Sequence, residues 1–273
     1  MKDERFTIIT CSYNTPIVTE CLLKSYYKYH PGVRHRLILI DNSTDSSTME
    51  MLNKYDVPYV NGLKVLPKSP TKDDWWYHHT GLDWAVNNCT TPYCLIVDTD
   101  ILIRASLIKF FDIFTSQPDY VAMGEHMPKD IPKTYRNGKV IPIGEKYVLP
   151  RIHPCFMLLD VNFFKEHNLT FSEPEQNDKL PDNERYDIGS YLLQKIYELG
   201  KKTIRIESND STYIHSGGLS WADGLDMKHD FYKNTVMRDL HDIDINKKYF
   251  TDISHDGKLT AAAEHYYGQT NIL

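Results

Sequence analysis

The chain has 273 residues, a formal charge of -6, 41% apolar residues and 25% charged ones, the balance of an ordinary globular domain. The acidic excess excludes a generic polyanion binder, which would present a surplus of Lys and Arg. No apolar run approaches the roughly eighteen residues of a membrane span, and the opening MKDERFTIITCSYN turns polar too early for a signal peptide, so the expected location is cytoplasmic.

From the N-terminus, FTIITC (6–11) is a β-rich run that ends at Ser12, Tyr13 and Asn14. Pro16 suits a first helical turn, and Ile17, Cys21, Leu22, Ser25 and Tyr26 follow at helical spacing. RLILID (36–41) is a second buried strand leading into DNSTDSS, with a short helix over TMEMLNKY behind it. LKVLP (63–67) is a weaker third strand. DDWWYHHTGLDWAVNNC (73–89) reads as a helix with Asp73 or Asp74 as N-cap. The strand YCLIVD (93–98), a helix from about 105 to 115 and the strand YVAMGE (120–125) follow.

Residues 126–150 are rich in Pro, Gly and Lys and read as a loop or hairpin. PCFMLLD (154–160) is another buried strand, and FSEPEQNDKLPDNE (171–184) an acidic surface loop. ERYDIGSYLLQKIYELGKK (184–202) has the pattern of an amphipathic helix stopped at Gly200. TIRIE and STYIH are short strands, SGGLSWADG (216–224) is a Gly-rich loop, and the tail from 228 is charged and partly helical. Cys11, Cys21, Cys89, Cys94 and Cys155 form no C-x-x-C pair, and are expected as free thiols in a reducing compartment.

Continuously apolar strands separated by helices predict a parallel sheet covered on both faces. Ligands bind such sheets beyond the carboxyl ends of the strands. Three of those ends are polar: Ser12-Tyr13-Asn14, Asp41-Asn42-Ser43 and Asp98-Thr99-Asp100. Asp98 and Asp100 repel each other unless a cation lies beside them. Oxygen ligands suit Mg²⁺ or Mn²⁺, and such an ion stabilises a departing diphosphate.

TCSYNT (10–15), LIDNSTD (39–45) and GLDWAVNNCTTPYCLIVDTDIL (81–102) together resemble the GT-A fold glycosyltransferases, especially the inverting family 2 type. The resemblance is good over residues 6–115 and looser over 150–220. It implies a GT-A (Rossmann-like) three-layer α/β/α sandwich with a mostly parallel central sheet. One domain would span 1–273, with 1–125 the nucleotide-sugar-binding half and 126–273 the acceptor-binding half and C-terminal tail.

The resemblance also implies roles. Thr10, Ser12 and Asn14 would line the nucleotide pocket, with Tyr13 beside the base. Asp41 would contact base or ribose, flanked by Asn42 and Ser43. Asp98, with Thr99 next to it, would reach the ribose or the metal, and Asp100 would ligate the metal directly. His215, in YIHSGGLSW, would complete the Mn²⁺ or Mg²⁺ site; neutral imidazole is a suitable ligand. A general base is needed to deprotonate the acceptor hydroxyl. Asp187 is the first choice and Glu184 the second; Arg185 and Tyr186 separate them where the family has an adjacent acidic pair. His79 and Asp83 would touch the nucleotide, Lys68 and Lys72 the diphosphate, and His153 and Trp221 the acceptor.

The expected activity is transfer of a sugar, with inversion, from a nucleotide-diphosphate sugar (a UDP-sugar first) to a glycan or protein hydroxyl. One alternative acceptor is a hydroxymethylated base in phage-type DNA. Lys129, Lys133, Arg136, Lys139, Lys146 and Arg151 would supply a basic groove for it. A non-catalytic nucleotide- or sugar-binding protein is a further alternative. So is a nucleotidyltransferase, although TCSYNTP lacks the Gly-rich first loop of that class.

Overall fold

A computed structural model describes residues 6–30, 35–68, 74–131, 133–136, 139–142, 145–172, 180–206, 212–215 and 250–252. In chain order the elements are β1 (Phe6–Ser12), α1 (Pro16–Tyr29), β2 (His35–Asp41), α2 (Ser47–Lys54), β3 (Val60–Asn61), α3 (Gly62–Val65), α4 (Asp74–Asn88) and β4 (Tyr93–Val97). Then come β5 (Ile101–Ile103), α5 (Ile108–Thr115), β6 (Tyr120–Met127), β7 (Lys133–Arg136), β8 (Lys139–Pro142), β9 (Tyr147–Val148) and β10 (Arg151–Asp160). The last are α6 (Val161–Glu166), β11 (Glu184–Arg185), α7 (Ser190–Glu198), β12 (Lys202–Ile206), β13 (Tyr213–His215) and β14 (Phe250–Asp252).

The central sheet runs in the order β12-β6-β10-β4-β1-β2-β14, with β3 also on β2. Only β10 is antiparallel to its neighbours. Side chains alternate between the two faces of each strand. In β4, Cys94 and Ile96 pack with Leu82 and Ala85 of α4, Phe164 of α6 and Leu192 of α7. Leu95 and Val97 pack on the other face with Leu22 and Tyr26 of α1, Leu52 of α2 and Phe111 of α5. Two apolar layers, each closed by three helices, make the α/β/α sandwich; each fully buried Leu or Phe contributes about 1.5–3 kcal/mol.

Two elements differ from expectation. LKVLP is not a strand: pairing with β2 stops after Val60 and Asn61, and α3 takes over. Leu63 and Lys64 face outward while Leu66 is buried, a spacing that suits a helical turn, and short apolar runs do not distinguish the two by composition. The helix expected from 184 begins at Ser190. Glu184 and Arg185 instead pair with Tyr147 and Val148. Gly189 stops the helix from extending backwards, with φ +85 and its α-carbon so close to β10 that a Cβ would meet the Ile152 carbonyl oxygen at 2.0 Å. Only glycine tolerates that position. The segment 126–150 does contain a hairpin, β7–β8.

β10 carries an irregularity that shapes the site. Its ladder with β6 shifts between His153 and Met157, a bulge of the kind that re-aims side chains. Gly124 accommodates it, since a Cβ there would lie 3.0 Å from the Phe156 carbonyl oxygen.

Candidate functional site

Beyond the last residue of β4 the chain makes a tight turn through Asp98, Thr99 and Asp100. The Asp98 N–H donates to the Cys155 carbonyl (2.9 Å) in the β10 bulge, and the Ile101 N–H donates back to the Asp98 carbonyl (3.2 Å). β5 follows at once and pairs antiparallel with β13, His215 opposite Ile101. That register returns the imidazole to the carboxylates: His215 Nε2 lies 3.4 Å from Asp100 Oδ1. One ligand atom each from Asp98, Asp100 and His215 lie within 4.8 Å of one another. Asp98 is 9% and Asp100 0% exposed.

Three imidazoles, those of His78, His153 and His215, act on the carboxylate pair. Burial alone raises the Asp98 carboxyl, but the His78 hydrogen bond and the charges of His78, His153 and His215 bring it down to about 2. His78 Nε2 is 3.5 Å from Asp98 Oδ1. Burial opposes the charge on His215, and Asp100, Asp98 and Glu125 more than reverse it, raising its pKa. Burial dominates at His153 and lowers its pKa against the pull of Asp98 and Asp187. His153 Nδ1 faces the Cys155 N–H at 3.2 Å, which assigns acceptor to Nδ1 and the proton to Nε2.

The β1 and β2 ends depart in part from the sequence reading. Ile8, Thr10 and Ser12 share the α1 face of β1. Thr10 is fully buried among Ile8, Leu22, Tyr26, Leu37 and Val97, so its side chain lines apolar core and not a nucleotide pocket. The buried Ser12 hydroxyl lies 3.2 Å from Thr15 Oγ1 and 3.1 Å from Thr19 Oγ1, where it fastens the start of α1. Asn14, at φ +51, clasps the two exits: its N–H donates to Ser43 Oγ (2.8 Å) and its Oδ1 accepts from the Thr44 N–H (2.9 Å). Tyr13 beside it is half-buried.

Asp41 accepts from the Ser43 N–H (3.1 Å) and hydroxyl (2.5 Å); burial raises its pKa against those bonds. Asn42 donates to the Tyr77 carbonyl at 3.1 Å. Its Oδ1 lies over Gly62, 1.9 Å from where a Cβ would be, and accepts no hydrogen bond among the described residues. Thr99 Oγ1 is likewise buried without a partner among them.

On α4 it is His78, not His79, that faces the carboxylates, for it shares the stripe of Leu82, Ala85 and Cys89. Asp83 lies on another stripe. Its carboxylate accepts from Thr170 Oγ1 (2.5 Å), the Phe171 N–H (2.7 Å) and Ser172 Oγ (2.9 Å), so it anchors the chain after α6 and does not reach a nucleotide. Cys11, a free thiol as expected, is half-buried and packed against Gly81. Burial, with the Asp98 charge added, pushes its thiol far up.

On the other side of the site, Asp187 Oδ2 lies 3.5 Å from Arg151 Nε, and Arg151 also donates to Asp130 Oδ1 (3.2 Å). Asp187 is electrostatically coupled to His153, whose ring centroid is 5.8 Å from that of His215. Glu184 instead pairs with Lys129. Lys68 is exposed. Lys72 and Trp221 lie outside the described residues, and of Lys133, Arg136 and Lys139 the backbone alone is described. Among the described residues no helix is long and apolar enough to cross a membrane. His78 and Glu125 are site neighbours that sequence reasoning did not single out, and helical phase would have found His78; Arg151, expected in a basic groove, is instead buried and paired with Asp187 and Asp130.

No protein-family model matches the chain, and no curated protein matches it in sequence. Among solved structures its fold is similar to S. aureus TarS 1-349, at 16% identity and a TM-score of 0.48 over 99% of this chain and 74% of that one. It is similar also to the mannosyltransferase PcManGT from Pyrobaculum calidifontis, in complex with GDP-Man and Mn2+, at 15% identity and 0.49 over 98% and 76%. A third is glucosyl-3-phosphoglycerate synthase from Mycobacterium tuberculosis, at 13% and 0.47 over 76% and 73%. At these identities the chemistry of the site rests on its own residues.

Proposed function

We propose that the chain is a metal-dependent glycosyltransferase that moves a sugar from a nucleotide-diphosphate sugar, a UDP-sugar first, to a glycan or protein hydroxyl with inversion. The observation that carries the reading is the buried Asp98–Asp100–His215 set at the carboxyl edge of a largely parallel sheet, where such folds bind ligands. Two carboxylates and one imidazole fit Mn²⁺ or Mg²⁺. A bound ion of this kind would neutralise the charge developing on the departing diphosphate.

The rest of the work falls to the chain's own side chains. Asp41, Asn42 and Ser43 offer polar atoms to base and ribose at the β2 end. Asp187 receives the proton of the acceptor hydroxyl as that oxygen attacks the anomeric carbon, and Arg151 holds its carboxylate in place. Asp187 is favoured over Glu184 because it stands at the turn into α7 against Arg151 of β10, the strand whose bulge carries His153, whereas Glu184 on β11 is held by Lys129.

Calorimetric titration of UDP, GDP, CDP and dTDP, each with Mn²⁺ and with EDTA, tests the reading on the parent chain and on Asp100→Ala. One diphosphate should bind with Mn²⁺, and neither with EDTA nor in the variant. No binding of any of them to the folded parent chain would sink the transferase reading.

A further inference from the structure

Next to the carboxylate pair lies a second group of a different chemical kind. Glu125 of β6, Cys155 of the β10 bulge and His215 of β13 offer a carboxylate oxygen, a thiol sulfur and a ring nitrogen, all within 4.8 Å of one another. Glu125 is 7% and Cys155 0% exposed. The buried Tyr213 joins their three strands. Its hydroxyl donates to Glu125 Oε1 at 2.7 Å, and its ring stacks on Phe156, beside Cys155, at 4.1 Å. Tyr213 thereby orients Glu125 as an outer partner orients a metal-binding carboxylate.

We propose that Glu125, Cys155 and His215 form a second divalent-cation site, selective for a thiophilic ion such as Zn²⁺, which competes with Asp98 and Asp100 for His215. Zinc takes S, N and O ligands at about 2.0–2.3 Å in a tetrahedron. Its ligand atoms then lie about 3.5 Å apart, so small side-chain rotations close the set. Carboxylates with one imidazole suit Mg²⁺ or Mn²⁺, whereas a thiolate selects zinc over both. A neutral imidazole has one free lone pair, so His215 serves one ion at a time and the two sites exclude each other.

Glu125 is buried, and its carboxylate oxygen lies within 4.8 Å of ligand atoms of Cys155 and His215. The His215 side chain is 22% exposed, which gives the ion an entry path and leaves room for a fourth ligand from solvent. Binding releases the thiol proton to solvent, because the ligand is the thiolate. None of this depends on the reaction run at the first site.

The experiment uses the full chain stripped of metal by a chelator, titrated with Co²⁺ by absorbance and with Zn²⁺ against a chromophoric chelator. The parent chain should show a thiolate-to-cobalt charge-transfer band that zinc abolishes. Cys155→Ser should lose the band and bind zinc at least tenfold more weakly. Glu125→Gln keeps an oxygen for Tyr213, so it should fold as the parent and weaken zinc by a similar factor. A parent cobalt spectrum without a thiolate band, a band that persists in Cys155→Ser, or parent-like zinc affinity in Glu125→Gln overturns the proposal.

Discussion

His215 Nε2 lies 3.4 Å from Asp100 Oδ1, and the pairing of β13 with β5 sets that distance. A three-residue ladder, His215 opposite Ile101, carries a ring from late in the chain to a turn early in it. The turn itself is fixed from the other side, by the Asp98 N–H on the Cys155 carbonyl. The three donors therefore belong to rigid neighbours, the condition under which a site keeps its geometry.

His215→Ala should weaken Mn²⁺ binding at least tenfold while the chain stays folded, because the ring, 22% exposed, stands at the end of a short ladder and is not part of the apolar core. Titration of Mn²⁺, followed by the spectrum of the free ion, gives the affinity; thermal unfolding gives the control. Unchanged affinity in a folded variant would remove His215 from the site.

His78 and His79 offer a test by adjacent residues. His78 hydrogen-bonds Asp98, so His78→Ala removes an outer partner of a ligand, a change that typically weakens metal binding about 10- to 100-fold. His79→Ala should leave the affinity within about twofold, well below that range. Equal effects in the same Mn²⁺ titration would mean that the ring next to Asp98 does not orient it.

Asp83 gives a pH signature apart from the metal site. Burial raises its carboxyl to about 6, against the hydrogen bonds from Thr170, Phe171 and Ser172. The unfolded chain has an ordinary Asp near 3.9, so the folded state holds this proton more tightly. Its contribution is fully present below about pH 4 and is lost as pH rises through about 6. Asp83→Asn removes the titration. Between about pH 4 and pH 7 the stability difference should move toward the variant by on the order of 2–3 kcal/mol, measured by urea unfolding at the two pH values. A difference independent of pH would mean that the carboxyl titrates in its ordinary range.

The strands, the carboxylate pair and the sandwich were legible in the sequence because continuously apolar runs and strand-end polar residues are local signals. The face on which each residue lies was legible in principle too. Thr10 and Ser12 share parity with Ile8, and His78 shares helical phase with Leu82 and Ala85. Reading the strand-end motif as a block of polar letters missed that parity. What no local pattern holds is contact across the fold. Gly189 bars the helix from starting at 184 only because it meets the Ile152 carbonyl. Glu125 and Arg151 join the site only because β6 and β10 lie side by side. Asp83 looks like a ligand residue until the chain after α6 returns to it.

Two carboxylates compete for the role of base, and their surroundings separate them. Glu184 sits on β11 against β9 and pairs with Lys129. Asp187 lies in the turn before α7, where its Oδ1 accepts from the Ile188 N–H (2.9 Å) and its Oδ2 faces Arg151 Nε at 3.5 Å. General-base contributions are typically about 10²- to 10⁴-fold. Asp187→Asn should therefore lose about that much of the transfer rate, with affinity for the nucleotide diphosphate and Mn²⁺ unchanged. Glu184→Gln should lose less than about tenfold, below that range. Transfer to a glycan or protein acceptor, once one is in hand, gives the rate, and calorimetry gives the affinity. If Glu184→Gln abolishes transfer and Asp187→Asn does not, the base is on β11, and Asp187 is only the anchor of Arg151.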